Sequence, residues 1–326
     1  MSFFRVPIFL ALAAATFARQ QAPLKPLPDT QEPIKVDVKV VNVLCSVRNK
    51  QGGLVGNLTK DDFLLSEDGK PQTIKYFNRE TDLPLTIGLL VDVSTSQERL
   101  IDVERQAASA FFSQVLRKQD LAFLISFGED AELLQDYTSS ASLLRRGLDQ
   151  LHVSSAVSGT QPGPVPTIYK PRGTVFYDAV YLAAHDQLRG QVGRKVLVVI
   201  TDGVDEGSRL KIEDALRAAQ DADAVVYCID YSDPGFYNLG GFGFGGNGWG
   251  AMSRISGDTG GRVFKVDRKH PLNEVFNEIQ DEMRSQYAIG YTPENLNNDG
   301  TFRRIDLKTR DKSLKVQARK GYYADK

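Results

Sequence analysis

The stretch Leu85-Thr86-Ile87-Gly88-Leu89-Leu90-Val91-Asp92-Val93-Ser94-Thr95-Ser96 decides how the chain is read. Its first seven residues are almost continuously apolar, which suits a strand buried on both faces, as in a parallel sheet. The apolar run stops at Asp92, and an oxygen-bearing side chain then recurs at every second position. Where a strand runs out into a loop, residues two apart can point the same way. Asp92, Ser94 and Ser96 can therefore converge on one point, with Val93 facing the core.

Downstream, Leu100, Val103, Ala107, Phe111 and Val115 recur at helical spacing, and residues 121–127 read as a second buried strand. Leu143, Leu144, Leu148 and Leu151 suit a short helix. Residues 153–173 form a long loop rich in Ser, Gly and Pro. A helix on Ala179, Val180, Ala183 and Leu188 leads to a third strand at 195–201. A helix on Ile212, Ala215, Leu216 and Ala219 leads to a fourth strand at 224–229. Residues 235–250 are dominated by Gly and Phe and read as a loop. They lack the Lys and the strand-to-helix setting of a phosphate cradle; the aromatic side chains Phe236, Phe242, Phe244 and Trp249 are candidates to touch a partner. A short helix at 251–256, a Gly-rich turn at 257–261, a strand at 262–266 and an amphipathic helix on Leu272, Val275, Phe276, Ile279 and Met283 complete the series. Strands alternating with helices imply an α/β fold: a doubly wound, mostly parallel sheet covered on both faces.

Both flanks follow β grammar. Val36, Val38 and Val40 alternate with polar residues, and the run continues through Val43, Cys45 and Val47. Asp68-Gly69 between Phe63-Leu64-Leu65 and Ile74-Lys75-Tyr76-Phe77 is a hairpin signal. After the last helix, Tyr287, Ile289 and Tyr291, then Phe302, Ile305, Leu307 and Thr309, then Leu314, Val316 and Ala318 read as strands. Neither flank is large enough for a core of its own. The expected organisation is therefore one small β-sandwich built from both chain ends, residues 34–82 and 286–326, with the α/β domain, residues 83–285, inserted between them.

The first residues stand apart. Arg5 precedes an apolar stretch running to Phe17, and Thr16-Phe17-Ala18 carries small residues where a signal peptidase reads. Residues 1–18 are read as a cleaved signal peptide, with an uncleaved anchor as the alternative, and the Gln- and Pro-rich residues 19–33 as a linker. A secreted or periplasmic location follows, with no membrane span after cleavage. The formal net charge of −1 and dispersed Lys and Arg do not favour nucleic acid. The two cysteines, Cys45 and Cys228, sit in apolar strand-like runs and are read as buried thiols. His152, His185 and His270 share no metal-ligand spacing, and no serine sits in the G-x-S-x-G setting of a hydrolase nucleophile.

In an open parallel sheet, ligands bind beyond the carboxyl ends of the strands. Those ends carry Asp92, Ser94 and Ser96 after the first strand and Thr201-Asp202-Gly203 after the third, while the long loop delivers Gly173-Thr174. Two carboxylates with neutral hydroxyls, and no His or Cys, suit Mg²⁺, Mn²⁺ or Ca²⁺. Such an ion, nearly neutralised, still accepts one more anionic oxygen. Asp205 and Glu206 follow closely and are read as a solvated loop, with repulsion of acidic partners or support of a second ion as alternatives.

Asp92-x-Ser94-x-Ser96, followed by Gly173-Thr174 and then Thr201-Asp202-Gly203, resembles the metal-ion-dependent adhesion site of von Willebrand factor type A (VWA) domains. The flanking Glu67-Asp68-Gly69-Lys70-Pro71-Gln72, Tyr287-Ala288-Ile289-Gly290-Tyr291 and Arg319-Lys320-Gly321-Tyr322 look like a bacterial subfamily of exported VWA-related proteins. The resemblance implies that Asp92, Ser94, Ser96, Thr174 and Asp202 bind a divalent cation, Mg²⁺ foremost. It further implies that the ion bridges to an acidic side chain of a protein partner in an adhesion-type, non-enzymatic interaction. A metal-dependent hydrolase, with Asp205 or Glu206 as base, and a purely structural ion are the alternatives. By analogy with related adhesive domains, the final helix is where a conformational switch is expected.

Overall fold

A computed structural model describes residues 40–79, 83–153, 173–232 and 248–324. At its centre lies a six-stranded sheet in the order β10-β9-β8-β5-β6-β7. Its strands are β5 (Leu85–Asp92), β6 (Leu121–Phe127), β7 (Ala131–Thr138), β8 (Arg194–Thr201), β9 (Ala224–Asp230) and β10 (Val263–Lys265). All pair in parallel except the edge strand β7, which runs antiparallel to β6 with two register irregularities. Every residue of β5 is buried, as its unbroken apolar run requires of a strand covered on both faces.

The helices are α1 (Ile101–Val115), α2 (Ala141–Leu148), α3 (Phe176–Leu182, continuing as a π-helical turn Ala183–Leu188), α4 (Ile212–Asp221), α5 (Gly248–Thr259) and α6 (Leu272–Arg284). One face of the sheet packs on Phe111, Phe112, Leu144, Leu148, Phe276 and Ile279 from α1, α2 and α6. The other face packs on Phe176, Val180, Ala215, Ala219, Met252 and Ile255 from α3, α4 and α5. This is the expected doubly wound arrangement. α1 is rotated from its expected phase: its buried face carries Ile101, Glu104, Ala108, Phe111, Phe112 and Val115, and Val103 is exposed. The aromatic pair Phe111-Phe112 sets that phase, because both rings are buried and Phe111 stacks on Phe276 at 4.5 Å.

The chain ends supply two antiparallel four-stranded sheets, β13-β1-β11-β4 and β14-β12-β2-β3. They comprise β1 (Val41–Arg48), β2 (Phe63–Glu67), β3 (Lys70–Pro71) and β4 (Tyr76–Arg79) from one end, and β11 (Tyr287–Tyr291), β12 (Phe302–Thr309), β13 (Lys315–Ala318) and β14 (Gly321–Tyr323) from the other. Each sheet mixes strands of both ends, and Val43, Cys45, Phe63, Leu65, Tyr287, Ile289 and Ile305 form one core between them. The expected sandwich is present, with one change of partner. Asp68-Gly69 turns the chain with φ of 49° and 80°, but across that turn β2 meets just the two-residue β3, its other neighbour being β12, while Tyr76–Arg79 crosses to the other sheet and pairs with β11. The strand expected from Val36 begins at Val41, with Val40 in coil. Val36, Val38, the N-terminal leader and linker, and most of the loops 153–173 and 235–250 lie outside the described residues. Cys45 and Cys228 are both free and buried.

The sandwich and the α/β layers belong to one compact unit, Lys39–Lys326. A buried charge knot joins them. Glu282 of α6, fully buried, accepts hydrogen bonds from Arg48 Nη2 at 2.6 Å, Ser46 Oγ at 3.0 Å and Arg262 Nε at 2.9 Å. Arg284 pairs with the buried Asp120 at 2.5 Å, and buried Arg194 donates to Met283 O and Gln286 Oε1. The carboxyl end of the last helix, where a switch was expected, is thus tied to both layers. Among the described residues no helix is long and apolar enough to cross a membrane.

Candidate functional site

β5 and β8 are neighbours in parallel register, Val91 opposite Ile200, so their carboxyl ends open at the same place. The chain leaves β5 at Asp92, passes through Val93 (buried, as expected) and makes a 3-10 turn at Thr95–Gln97. Asp92 Oδ1 accepts the Ser94 amide at 2.9 Å, which folds the exit back on itself. Asp92 Oδ2 accepts the Thr201 hydroxyl at 2.6 Å, and the Thr201 oxygen in turn accepts the Gly203 amide at 2.9 Å. Ser94 Oγ and Ser96 Oγ lie 3.1 Å apart, and Ser96 Oγ donates to Asp202 Oδ2 at 2.7 Å. The alternation of residues 92, 94 and 96 therefore brings three oxygen-bearing side chains into one hydrogen-bonded group with Asp202.

Thr174 arrives by a different route. Val175 N donates to Gly128 O at the end of β6, and Thr174 O accepts the amides of Glu206 and Gly207, both at 3.1 Å. These bonds fasten the segment before α3 to the loop that follows Asp202. The backbone ties Thr174 to the loop that leaves Asp202, and among the described contacts its hydroxyl makes no hydrogen bond to the other four residues.

The electrostatics of the group are unfavourable as it stands. Asp92 is fully buried. Burial and then the charge of Asp202 push its pKa up to about 7, against the hydrogen bonds from Ser94 and Thr201. Two further polar side chains lie beneath the site, and the sequence reading passed over both. Glu104 and Gln97 are fully buried, and neither carboxylate oxygen of Glu104 nor either amide atom of Gln97 has a hydrogen-bond partner among the described residues. Burial, followed by the charge of Asp92, pushes Glu104 well above the usual carboxylate range. Its position was legible as the helical partner of Ile101 and Ala108; its charge hid it. Thr201 is the other functional neighbour missed, its signal being a hydroxyl at the last position of a buried strand.

Asp205 is not a free loop acid. It is half-buried and accepts the Tyr177 amide at 3.1 Å and Ser208 Oγ at 2.5 Å, satisfying the first turn of α3. Glu206 is exposed. Among the described residues no group of three or more His, Cys, Asp or Glu side chains is arranged to hold a metal, so an ion here depends on hydroxyl ligands as well as the two aspartates. A cavity of about 810 Å³ lies elsewhere at this end of the sheet, between α1 and the segment before α6. Val103, Ala107, Tyr231, Pro271 and Leu272 line it, and none of the five candidate ligands does.

Several solved structures are similar to parts of this chain. An aerotolerance-related membrane protein of Bacteroides fragilis is similar over 61% of this chain and 98% of its own, with 18% identity and a TM-score of 0.43. BatB of Bacteroides thetaiotaomicron is similar over 61% and 97%, with 18% identity and a TM-score of 0.44. A von Willebrand factor type A protein of Catenulispora acidiphila is similar over 83% and 74%, with 13% identity and a TM-score of 0.46. No curated protein matches the sequence. The family model of the von Willebrand factor type A domain matches residues 87–278, a span that runs from within β5 into α6 and contains all five candidate residues; the chain belongs to the von Willebrand factor type A domain family.

Proposed function

We propose that this protein is an exported interaction module in which Asp92, Ser94, Ser96, Thr174 and Asp202 hold one divalent cation, Mg²⁺ foremost. When bound, the ion would supply an electrophilic centre for an acidic side chain of a protein partner. The observation that carries this reading is the junction of Asp92 and Asp202 at two adjacent strand ends, joined through Ser96 and Ser94. Asp92 is fully buried in the field of Asp202, and a bound cation would offset the cost of its charge. The donor set is oxygen only, as a hard divalent ion requires. Asp92 anchors the loop through Ser94 N and Thr201 Oγ1, and Ser96 orients Asp202.

A hydrolytic reading loses Asp205 as its base, because that side chain is spent on the start of α3. Export rests on the apolar leader before Ala18, and amino-terminal sequencing of the protein recovered from its host tests it. Thermal melting in EDTA, Mg²⁺, Mn²⁺ or Ca²⁺, beside Asp92→Ala, tests the site. An ion at a hundred times its Kd stabilises the fold by about 2.7 kcal/mol, or a Tm rise of roughly 5–10 °C for a domain of this size. The reading expects that rise in the wild type and none in Asp92→Ala. Equal melting in all four conditions would overturn it.

A further inference from the structure

The surroundings of the cluster are asymmetric. On one side, α5 begins in backbone contact with the loop after β8. A Cβ added at Gly248 would lie 2.2 Å from Asp202 O, and one added at Gly203, where φ is +77°, would lie 2.6 Å from Gly248 O. Only glycines at both positions allow this approach. The next residue is Trp249, 49% exposed, whose Cα is within about 8 Å of the Asp202 carbonyl, given the fixed spacing of consecutive Cα atoms. Its indole is half exposed, and its backbone follows directly on the contact of Gly248 with Asp202. Trp is enriched where partners dock, because it offers a large apolar face at low entropy cost.

On the other side stands Glu206. Its amide donates to Thr174 O at 3.1 Å. Its side chain lies against Gly173, where an added Cβ would fall 2.3 Å from Glu206 Cβ and 3.1 Å from Oε2. The sheet order places the two flanks apart. α5 packs on β9, which borders β8 on the side away from β5. The Gly173-Thr174 segment hangs from Gly128, past the end of β6 on the far side of β5.

We infer that Trp249 and Glu206 set the sequence around the acid that the site grips: the partner presents an apolar side chain toward Trp249 and a basic side chain, not a second acid, toward Glu206. This rests on the interaction function proposed above. The carboxylate alone gives little discrimination between partners, since every surface has acids. The apolar flank adds area buried from water, and the acidic flank rejects a second acid by like-charge repulsion.

The test is selection of random heptapeptides displayed on phage against the full chain in millimolar Mg²⁺, with elution by EDTA. The same selection is run on Trp249→Ala, Trp249→Phe, Glu206→Gln and Asp202→Ala, each checked for folding by its melting curve. The wild type is expected to yield peptides with one acidic residue, an aromatic or large aliphatic residue at a fixed offset on one side, and Lys or Arg on the other. Synthetic copies are expected to bind Trp249→Ala at least tenfold more weakly and Trp249→Phe nearly as well as the wild type. Glu206→Gln is expected to lose only the basic preference. Acid-containing peptides with random flanks, or unchanged affinity for Trp249→Ala, would overturn the inference while leaving the acid-gripping function standing. No EDTA-eluted enrichment, or the same peptides from Asp202→Ala, would remove that function and this inference with it.

Discussion

Replacing Asp92 by Asn is expected to stabilise the metal-free protein at neutral pH and to abolish its response to metal. The sign follows from the site. Folding raises the Asp92 pKa from 3.8 to about 7, first by burial and then through Asp202, so the folded state favours the protonated acid. Its contribution to stability is therefore full below pH about 4 and is lost as the pH rises to about 7. At about 1.4 kcal/mol per pH unit, the loss amounts to about 4 kcal/mol. Asn carries no charge and keeps the acceptor for Ser94 N. Its amide faces a Thr201 oxygen that already accepts Gly203 N, and that rearrangement costs about 1 kcal/mol. The net expectation in EDTA at pH 8 is a gain of about 3 kcal/mol, shrinking to about zero near pH 4.5. Urea denaturation at the two pH values measures both. An Asn variant less stable than wild type at pH 8 in EDTA would refute the reasoning, since it would mean the carboxylate is already compensated in the metal-free fold.

Other expectations concern the charges buried around the site. Glu104→Met removes from the apolar face of α1 a buried carboxyl group with no hydrogen-bond partner among the described residues and is expected to stabilise the protein by about 1–3 kcal/mol; a loss of stability in urea denaturation would show that Glu104 is satisfied by bound water or an ion. Glu282→Gln unbalances the knot with Arg48 and Arg262 and is expected to cost about 3–5 kcal/mol, read as a lower denaturation midpoint. If the midpoint is unchanged, the knot does not hold the last helix to the sandwich.

What was legible in the sequence, and what was not, divides along physical lines. The run Leu85 to Val91 has all its residues buried, so its composition reports its environment directly, and the break at Asp92 marks the sheet edge where the site lies. Ser94, Ser96 and Asp202, named from their order in the chain, are joined by hydrogen bonds in the fold. Phase errors arose where one polar residue contradicts its face: Glu104 made Leu100, Val103 and Ala107 look like the buried stripe of α1. The edge strand Ala131–Thr138 went unread because it is mostly half-exposed and irregular in register, and so has no alternation to find. Asp68-Gly69 announced its own turn, since φ > 0 at both residues is a local demand. The partner of Tyr76–Arg79 lies more than two hundred residues away in β11, and no local pattern encodes that choice. The nearness of Trp249 to Asp202 depends on two glycines, Gly203 and Gly248, that meet only in the fold.

The central claim is that Asp92, Ser94, Ser96, Thr174 and Asp202 act together on one cation. Electron paramagnetic resonance of Mn²⁺ titrated into the full chain at pH 8 measures free and bound ion directly, with Mg²⁺ as competitor and Asp202→Asn and Ser96→Ala as variants. The account predicts one bound Mn²⁺ per chain, displaced by Mg²⁺, with affinity at least tenfold weaker in Ser96→Ala and no measurable site in Asp202→Asn. No bound Mn²⁺, or a bound ion indifferent to both substitutions, would contradict it.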